Sequence, residues 1–118
     1  MIYGIGTDLV DLDRIKHWLG NKHMSRVLSE EEINYLQSMT SSERQLTFLG
    51  GRFAAKEAIF KSMSHGEGNV NFKDLSIMND QYGKPYLKAH PFDQNFKFQI
   101  SISHTEKQAI AFVICERV

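Results

Sequence analysis

The sequence predicts an α+β domain, with helices in its first half and antiparallel strands in its second. Two observations carry that expectation. Residues 41–63 repeat apolar side chains at helical spacing, and residues 96–103 alternate apolar and polar without a break. Helices gathered before strands, rather than interleaved with them, favour α+β over a parallel α/β sheet.

The elements follow in order. "IYGIGTDLV" reads as a glycine-containing strand with Asp8 near its end. "DLDRIKHWLG" reads as a short helix in which Leu12, Ile15 and Leu19 recur at helical spacing and Gly20 is the stop. "SEEEINYLQSM" is a second helix, capped by Ser29, with Glu32 three residues on to complete a capping box. The longest helix spans 41–63, with Ser41 or Ser42 as its cap and His65-Gly66 as its exit. Gly50-Gly51 lies inside it and suggests either a break or a close approach by another backbone or a ligand, since each glycine weakens a helix by about 1 kcal/mol relative to alanine. "DLSIMND" and "PYLKAH" read as strands around a turn at Tyr82-Gly83-Lys84. In "FKFQISIS", Phe96, Phe98, Ile100 and Ile102 share one face, and Gln99, Ser101 and Ser103 the other. "QAIAFVICE" is apolar on both faces, as a central strand is.

Composition sets bounds. The 118 residues suit one domain, 1–118, with no internal linker or repeat. Fourteen basic and 14 acidic residues give zero net charge, which argues against a nucleic-acid binder. A single cysteine, Cys115, suits a reducing cytoplasm. The start lacks a basic region before an apolar run, so no secretory signal is expected, and no apolar run is long enough to span a membrane.

Several residues could carry chemistry. On the long helix, Leu46, Leu49, Phe53 and Phe60 form a stripe that includes Glu57, with Lys61 one turn further along its flank. A carboxylate in an apolar setting needs a partner. One reading is a Glu57–Lys61 pair at i,i+4, worth a few tenths of a kcal/mol; the other makes Glu57 a metal ligand and Lys61 an anion contact. Asp8 is either a turn residue or helix cap, or a second ligand, behind two glycines that permit close approach by a ligand. Two carboxylates from distant segments are a donor set that Mg²⁺ accepts, completing its octahedron with water and phosphate oxygens. His104 is a strand-end surface residue, a phosphate contact or a proton shuttle. The turn at Gly83 could line a nucleotide site. From Arg14 to Leu28 there are four Lys/Arg, two histidines and no acid; this is a solvated face or a dock for an acidic partner. Trp18 in its midst is core, the default reading, or a contact anchor.

Taken together, these motifs resemble one family. "GIGTDLVDLDRI" and "GRFAAKEAIFK" look like the two signatures of the small, bacterial-type phosphopantetheinyl transferases, and "GKP" and "SISHT" match later landmarks in order, from residue 4 to about residue 114. The second signature has Ala54 where relatives often carry a small polar residue. The resemblance implies transfer of 4′-phosphopantetheine from coenzyme A to a serine of an apo acyl carrier protein, releasing adenosine 3′,5′-bisphosphate, in fatty acid biosynthesis. It implies Mg²⁺ held by Asp8 and Glu57, and Lys61 acting on the same phosphates. Coenzyme A contacts are implied at His104 and, less directly, at Arg52, Gly83, Lys84 and Pro85. Arg14, Lys22 and Arg26 would dock the acidic carrier. A homotrimer with active sites at its subunit interfaces is implied, on a fold equal to half of the larger two-domain relatives. The general base stays open between a metal-bound water, Glu57 and another carboxylate. Two rivals remain: an Mg²⁺-dependent nucleotide or diphosphate hydrolase, and a non-catalytic carrier-binding module.

Overall fold

The computed structural model describes residues 1–63 and 69–118. The chain runs β1 (Ile2–Asp11), α1 (Leu12–Ile15), a 3₁₀ turn (Lys16–Trp18), α2 (Lys22–Val27), α3 (Glu30–Gln37) and α4 (Ser42–Ser62). A second 3₁₀ turn (Phe72–Asp74), β2 (Ser76–Asn79), β3 (Pro85–Ala89), β4 (Phe96–His104) and β5 (Gln108–Arg117) follow. After β1, the helices precede the remaining antiparallel strands, as the pattern predicts. The strands form two sheets: β1-β5-β4, and the hairpin β2-β3.

β5 is the central strand, paired antiparallel with β1 and β4 so that Asp8, Ala111 and Ile102 lie in one row. Alternation sets what each face does. Val10, Ile100, Ala109, Ala111, Val113 and Cys115 are buried, and α4 packs on that side. Ile5, Leu9, Ile110 and Phe112 point the other way and are exposed, Ile5 at 60% and Leu9 at 58%. The apolar character of β5 on both faces is therefore real, but within one chain only one face is covered.

The capping box holds as expected: Ser29 Oγ accepts from the Glu32 amide at 3.2 Å, and Glu32 Oε1 from the Ser29 amide at 2.7 Å. Ser41 caps α4, accepting from the Arg44 amide at 3.3 Å. Three expectations change. The helix expected over 11–20 is one α-turn that tightens into a 3₁₀ turn, and Gly20, at φ +78°, reverses the chain beyond it. α2 is an additional element whose buried side chains are Met24 and Val27. Gly50-Gly51 does not break α4. A Cβ at Gly50 would collide with Leu12, so the glycine admits a side chain of α1 rather than a ligand. The expected exit at His65-Gly66 lies outside the described residues.

Candidate active site

Gly4 and Gly6 bring β1 down onto α4. A Cβ at Gly4 would strike the Ser62 carbonyl oxygen, and one at Gly6 the Ala58 carbonyl oxygen. The close approach these glycines permit is therefore that of the helix itself, which corrects the expectation of a ligand there. Its consequence is positional: Asp8, on the same face of β1 two residues beyond Gly6, is set beside the last turns of α4. Lys61 Nζ donates to Asp8 Oδ1 at 3.0 Å and to the Thr7 carbonyl at 3.1 Å. The Asp8 side chain keeps 18% of its exposure and that of Lys61 keeps 55%. The cluster thus opens to solvent on its lysine side.

Glu57 stands one turn before Lys61 and is half-buried. Burial is the main cause that raises its carboxyl above the ordinary 4.5; the neighbouring charge of Asp8 raises it further, and Lys61 pulls it back. Two carboxylates therefore sense one another's charge with one ammonium between the strand and the helix, leaving one surplus negative charge. Among the described residues no group of three or more His, Cys, Asp or Glu is arranged to hold a metal. A hard ion that takes one or two protein carboxylates and draws its other oxygens from water and phosphate fits this pair. Asp8 and Glu57 are the residues that would hold it.

The other expected residues lie apart from this cluster. His104 ends β4 opposite Ala109 and is exposed. It lies two strands and two residues from Asp8, about 12 Å by strand spacing and rise. Gly83, at φ +83°, closes the turn Asp80–Gly83, in which Asp80 Oδ1 accepts from the amides of Tyr82 and Lys84. Lys84 and Pro85 then join Gln99, Ser101 and Phe112 along an open cleft of about 370 Å³, on the sheet face turned away from α4. Arg52 is built into the fold. Its Nε donates to the Ile77 carbonyl at 3.0 Å, an Nη donates to Asn79 at 3.1 Å, and the guanidinium lies 4.3 Å over the Phe48 ring. Arg14, Lys22 and Arg26 are all exposed, on α1 and α2. Trp18 is partly buried, edge-on to Phe53.

Sequence reasoning missed two features. Lys73 joins Arg26 on the rim of a cleft of about 430 Å³ floored by Phe60, Phe72 and Val70; a lone lysine in "NFKD" gives no signal. Lys56, beside Glu57 in the signature, is 0% exposed and ion-paired to Glu32, also 0% exposed. Charged residues usually mark a solvated face, so this pair is hidden in the sequence. Only the Ser29–Glu32 capping box hints that Glu32 turns inward.

Residues 4–113 match the family model of the 4′-phosphopantetheinyl transferase superfamily. The chain belongs to that family. It is 44% identical over 117 residues to the holo-[acyl-carrier-protein] synthase of Acholeplasma laidlawii, covering 98% of each chain. It is 45% identical over 121 residues to that of a Geobacillus strain, covering 100% of this chain and 99% of the relative. A solved synthase from Bacillus anthracis, in complex with CoA (3′,5′-ADP), superposes with a TM-score of 0.88 at 39% identity, covering 100% of this chain and 99% of the other. A Neisseria meningitidis synthase does so at 0.86 and 34%. The transferase signatures fall at the cluster: the first carries Asp8 on β1, the second Glu57 and Lys61 on α4.

Proposed function

We infer that this chain is a holo-[acyl-carrier-protein] synthase, moving 4′-phosphopantetheine from coenzyme A onto a serine of an apo acyl carrier protein. The observation that carries this reading is the convergence of Asp8, Glu57 and Lys61 from β1 and α4 in a chain similar end to end to named synthases.

The chemistry follows from charge. The serine oxygen forms a bond to the phosphorus bearing the pantetheine, the bridging P–O bond breaks, and adenosine 3′,5′-bisphosphate departs. The serine proton is released. Negative charge grows on the leaving diphosphate oxygen, so positive charge placed there lowers the barrier. Lys61 supplies a compact ammonium, oriented by Asp8 and the Thr7 carbonyl and open to solvent on the side where a phosphate enters. Mg²⁺ on Asp8 and Glu57 would polarise the diphosphate and offset the same charge. The nucleophile belongs to the partner, so the chain needs none of its own.

The reading extends to assembly. Asp8, Glu57 and Lys61 lie on the α4 side of the sheet, whereas Lys84, Pro85 and Phe112 line the opposite side. An exposed apolar face over Ile5, Leu9, Ile110 and Phe112 supports burial against further copies. A homotrimer would bring the phosphate-contact residues of one copy (Lys84, His104) to the carboxylates of the next. Gly83 shapes the turn that presents Lys84, and Arg52 supports it through its bond to Asn79. Arg14, Lys22 and Arg26 form the basic surface for the acidic carrier. A single cysteine and the absence, among the described residues, of a helix able to cross a membrane support a cytoplasmic setting.

The test is nucleotide release. Coenzyme A and Mg²⁺ are incubated with the protein, with and without an apo carrier, and adenosine 3′,5′-bisphosphate is separated by chromatography. Release only with the carrier is the expected result. Release without it indicates the hydrolase, and no release in either arm indicates a binding module.

A further inference from the structure

Lys56 and Glu57 are neighbours on α4, about 100° apart around the helix, so they face different surroundings. Glu57 faces the site, while Lys56 is driven into the fold. The Lys56 ammonium donates to the Val27 carbonyl at 2.8 Å, at the end of α2, and to the Phe72 carbonyl at 3.0 Å, in the second 3₁₀ turn. Its third contact is Glu32 Oε1 of α3, at 2.5 Å. An ammonium has three protons, and all three are used. Both Glu32 oxygens are also engaged elsewhere: Oε1 accepts from the Ser29 amide, and Oε2 from the Ile77 amide at 2.8 Å in β2.

One ion pair thus ties α4 to α2, α3, the second 3₁₀ turn and β2. Apolar side chains in its place would let these elements slide. A buried, fully bonded charge does not, because a shift strips it of an acceptor that water cannot replace. The tied elements carry the two halves of the reaction: α2 and the turn present Lys22, Arg26 and Lys73, and α4 presents Glu57 and Lys61. We propose that Lys56, held by Glu32, is a positioning residue that sets the register between the basic carrier-docking surface and the carboxylate–lysine cluster. It touches neither substrate. This rests on the synthase reading above. It gives the second signature a role beyond Glu57 and Lys61: the attacking oxygen must arrive within about 3–3.5 Å of its target, so a small slip of the dock is costly.

Lys56→Met tests it, keeping chain length and removing the charge. Steady-state kinetics are run with carrier and coenzyme A varied separately. Trp18, the one tryptophan, reports the register directly: its ring stacks on His23 of α2 at 5.9 Å and meets Phe53 of α4 edge-on at 5.1 Å. The expected result, with far-UV circular dichroism retained, is a fall of at least about tenfold in kcat/KM for the carrier, a coenzyme A KM within about twofold, and a shifted Trp18 emission. If Lys56→Met does not fold, Glu32→Gln, which keeps the volume and an acceptor for Ser29, takes its place with the same expectation. A coenzyme A KM that changes as much as the carrier's kcat/KM, or an unchanged Trp18 emission in a folded variant, overturns the proposal. If the wild-type chain modifies no carrier, the synthase reading fails, and the Trp18 emission alone still decides whether Lys56 sets the register.

Discussion

Lys61 makes its ion pair with Asp8, 53 positions away on β1, its Nζ 3.0 Å from Oδ1. Helical spacing pairs it with Glu57, one turn back. Among the described residues, the long-range partner is the one that forms the bond, and Glu57 senses Lys61 only through its charge. The lysine thereby joins strand to helix and leaves Glu57 short of positive charge.

Lys61→Met removes the ammonium while keeping the stem. Loss of one preoriented charge at the leaving group is expected to lower kcat by about 100-fold. The KM for the carrier should hardly change. Steady-state kinetics check both, and an unchanged kcat contradicts the role.

Glu57 sets a pH dependence. Its carboxyl is raised in the fold above the ordinary 4.5, first by burial and then by Asp8. The folded state therefore holds its proton to higher pH than the unfolded chain does. In EDTA, the stability this contributes is full below 4.5 and is lost as pH rises through the raised value. Thermal melts in EDTA across that window should show Tm falling with pH for the wild type and a flatter curve for Glu57→Gln. Mg²⁺ should restore Tm at neutral pH in the wild type only. Parallel curves for the two proteins contradict the assignment.

Gly6→Ala pushes a methyl into the Ala58 carbonyl. The cost is expected to be about 3 kcal/mol, because rigid backbone rather than a mobile side chain must yield. Urea unfolding measures it. The same displacement moves Asp8 from Lys61, so activity should fall further than the unfolded fraction explains.

Phe112→Asp places a charge on the exposed apolar face and in the cleft with Lys84. On the proposed homotrimer, whose sites are completed between copies, sedimentation should show a smaller assembly, and coenzyme A should bind more weakly. An intact trimer with unchanged binding contradicts the shared site.

Arg14→Glu reverses charge on the proposed docking surface. The KM for the carrier should rise by about tenfold and that for coenzyme A should stay constant, with the gap narrowing in salt.

Much of this was legible in the chain. Alternation from Phe96 to Ser103 fixed which face of β4 is buried, and Ser29 with Glu32 marked the start of α3. The signatures around Asp8 and Glu57 located the cluster. What stayed hidden was long-range. Periodicity describes neighbours within an element, so it offered Lys61 only Glu57, and gave Lys56 and Glu32 no sign of each other. Gly50-Gly51 stayed open between a break and a close approach because propensity cannot see Leu12 arriving from α1. Gly4 and Gly6 signalled a close approach without saying that the helix was what approached. α2 is six residues long and buries only Met24 and Val27, too few turns to display a period.

The most direct test of the account is the mass of the carrier. Purified protein, coenzyme A, Mg²⁺ and an apo acyl carrier protein are incubated, and the carrier is weighed intact. The account predicts a gain of one phosphopantetheine group, lost with EDTA and with Glu57→Ala. An unchanged carrier, under conditions where an active synthase modifies it, contradicts the account.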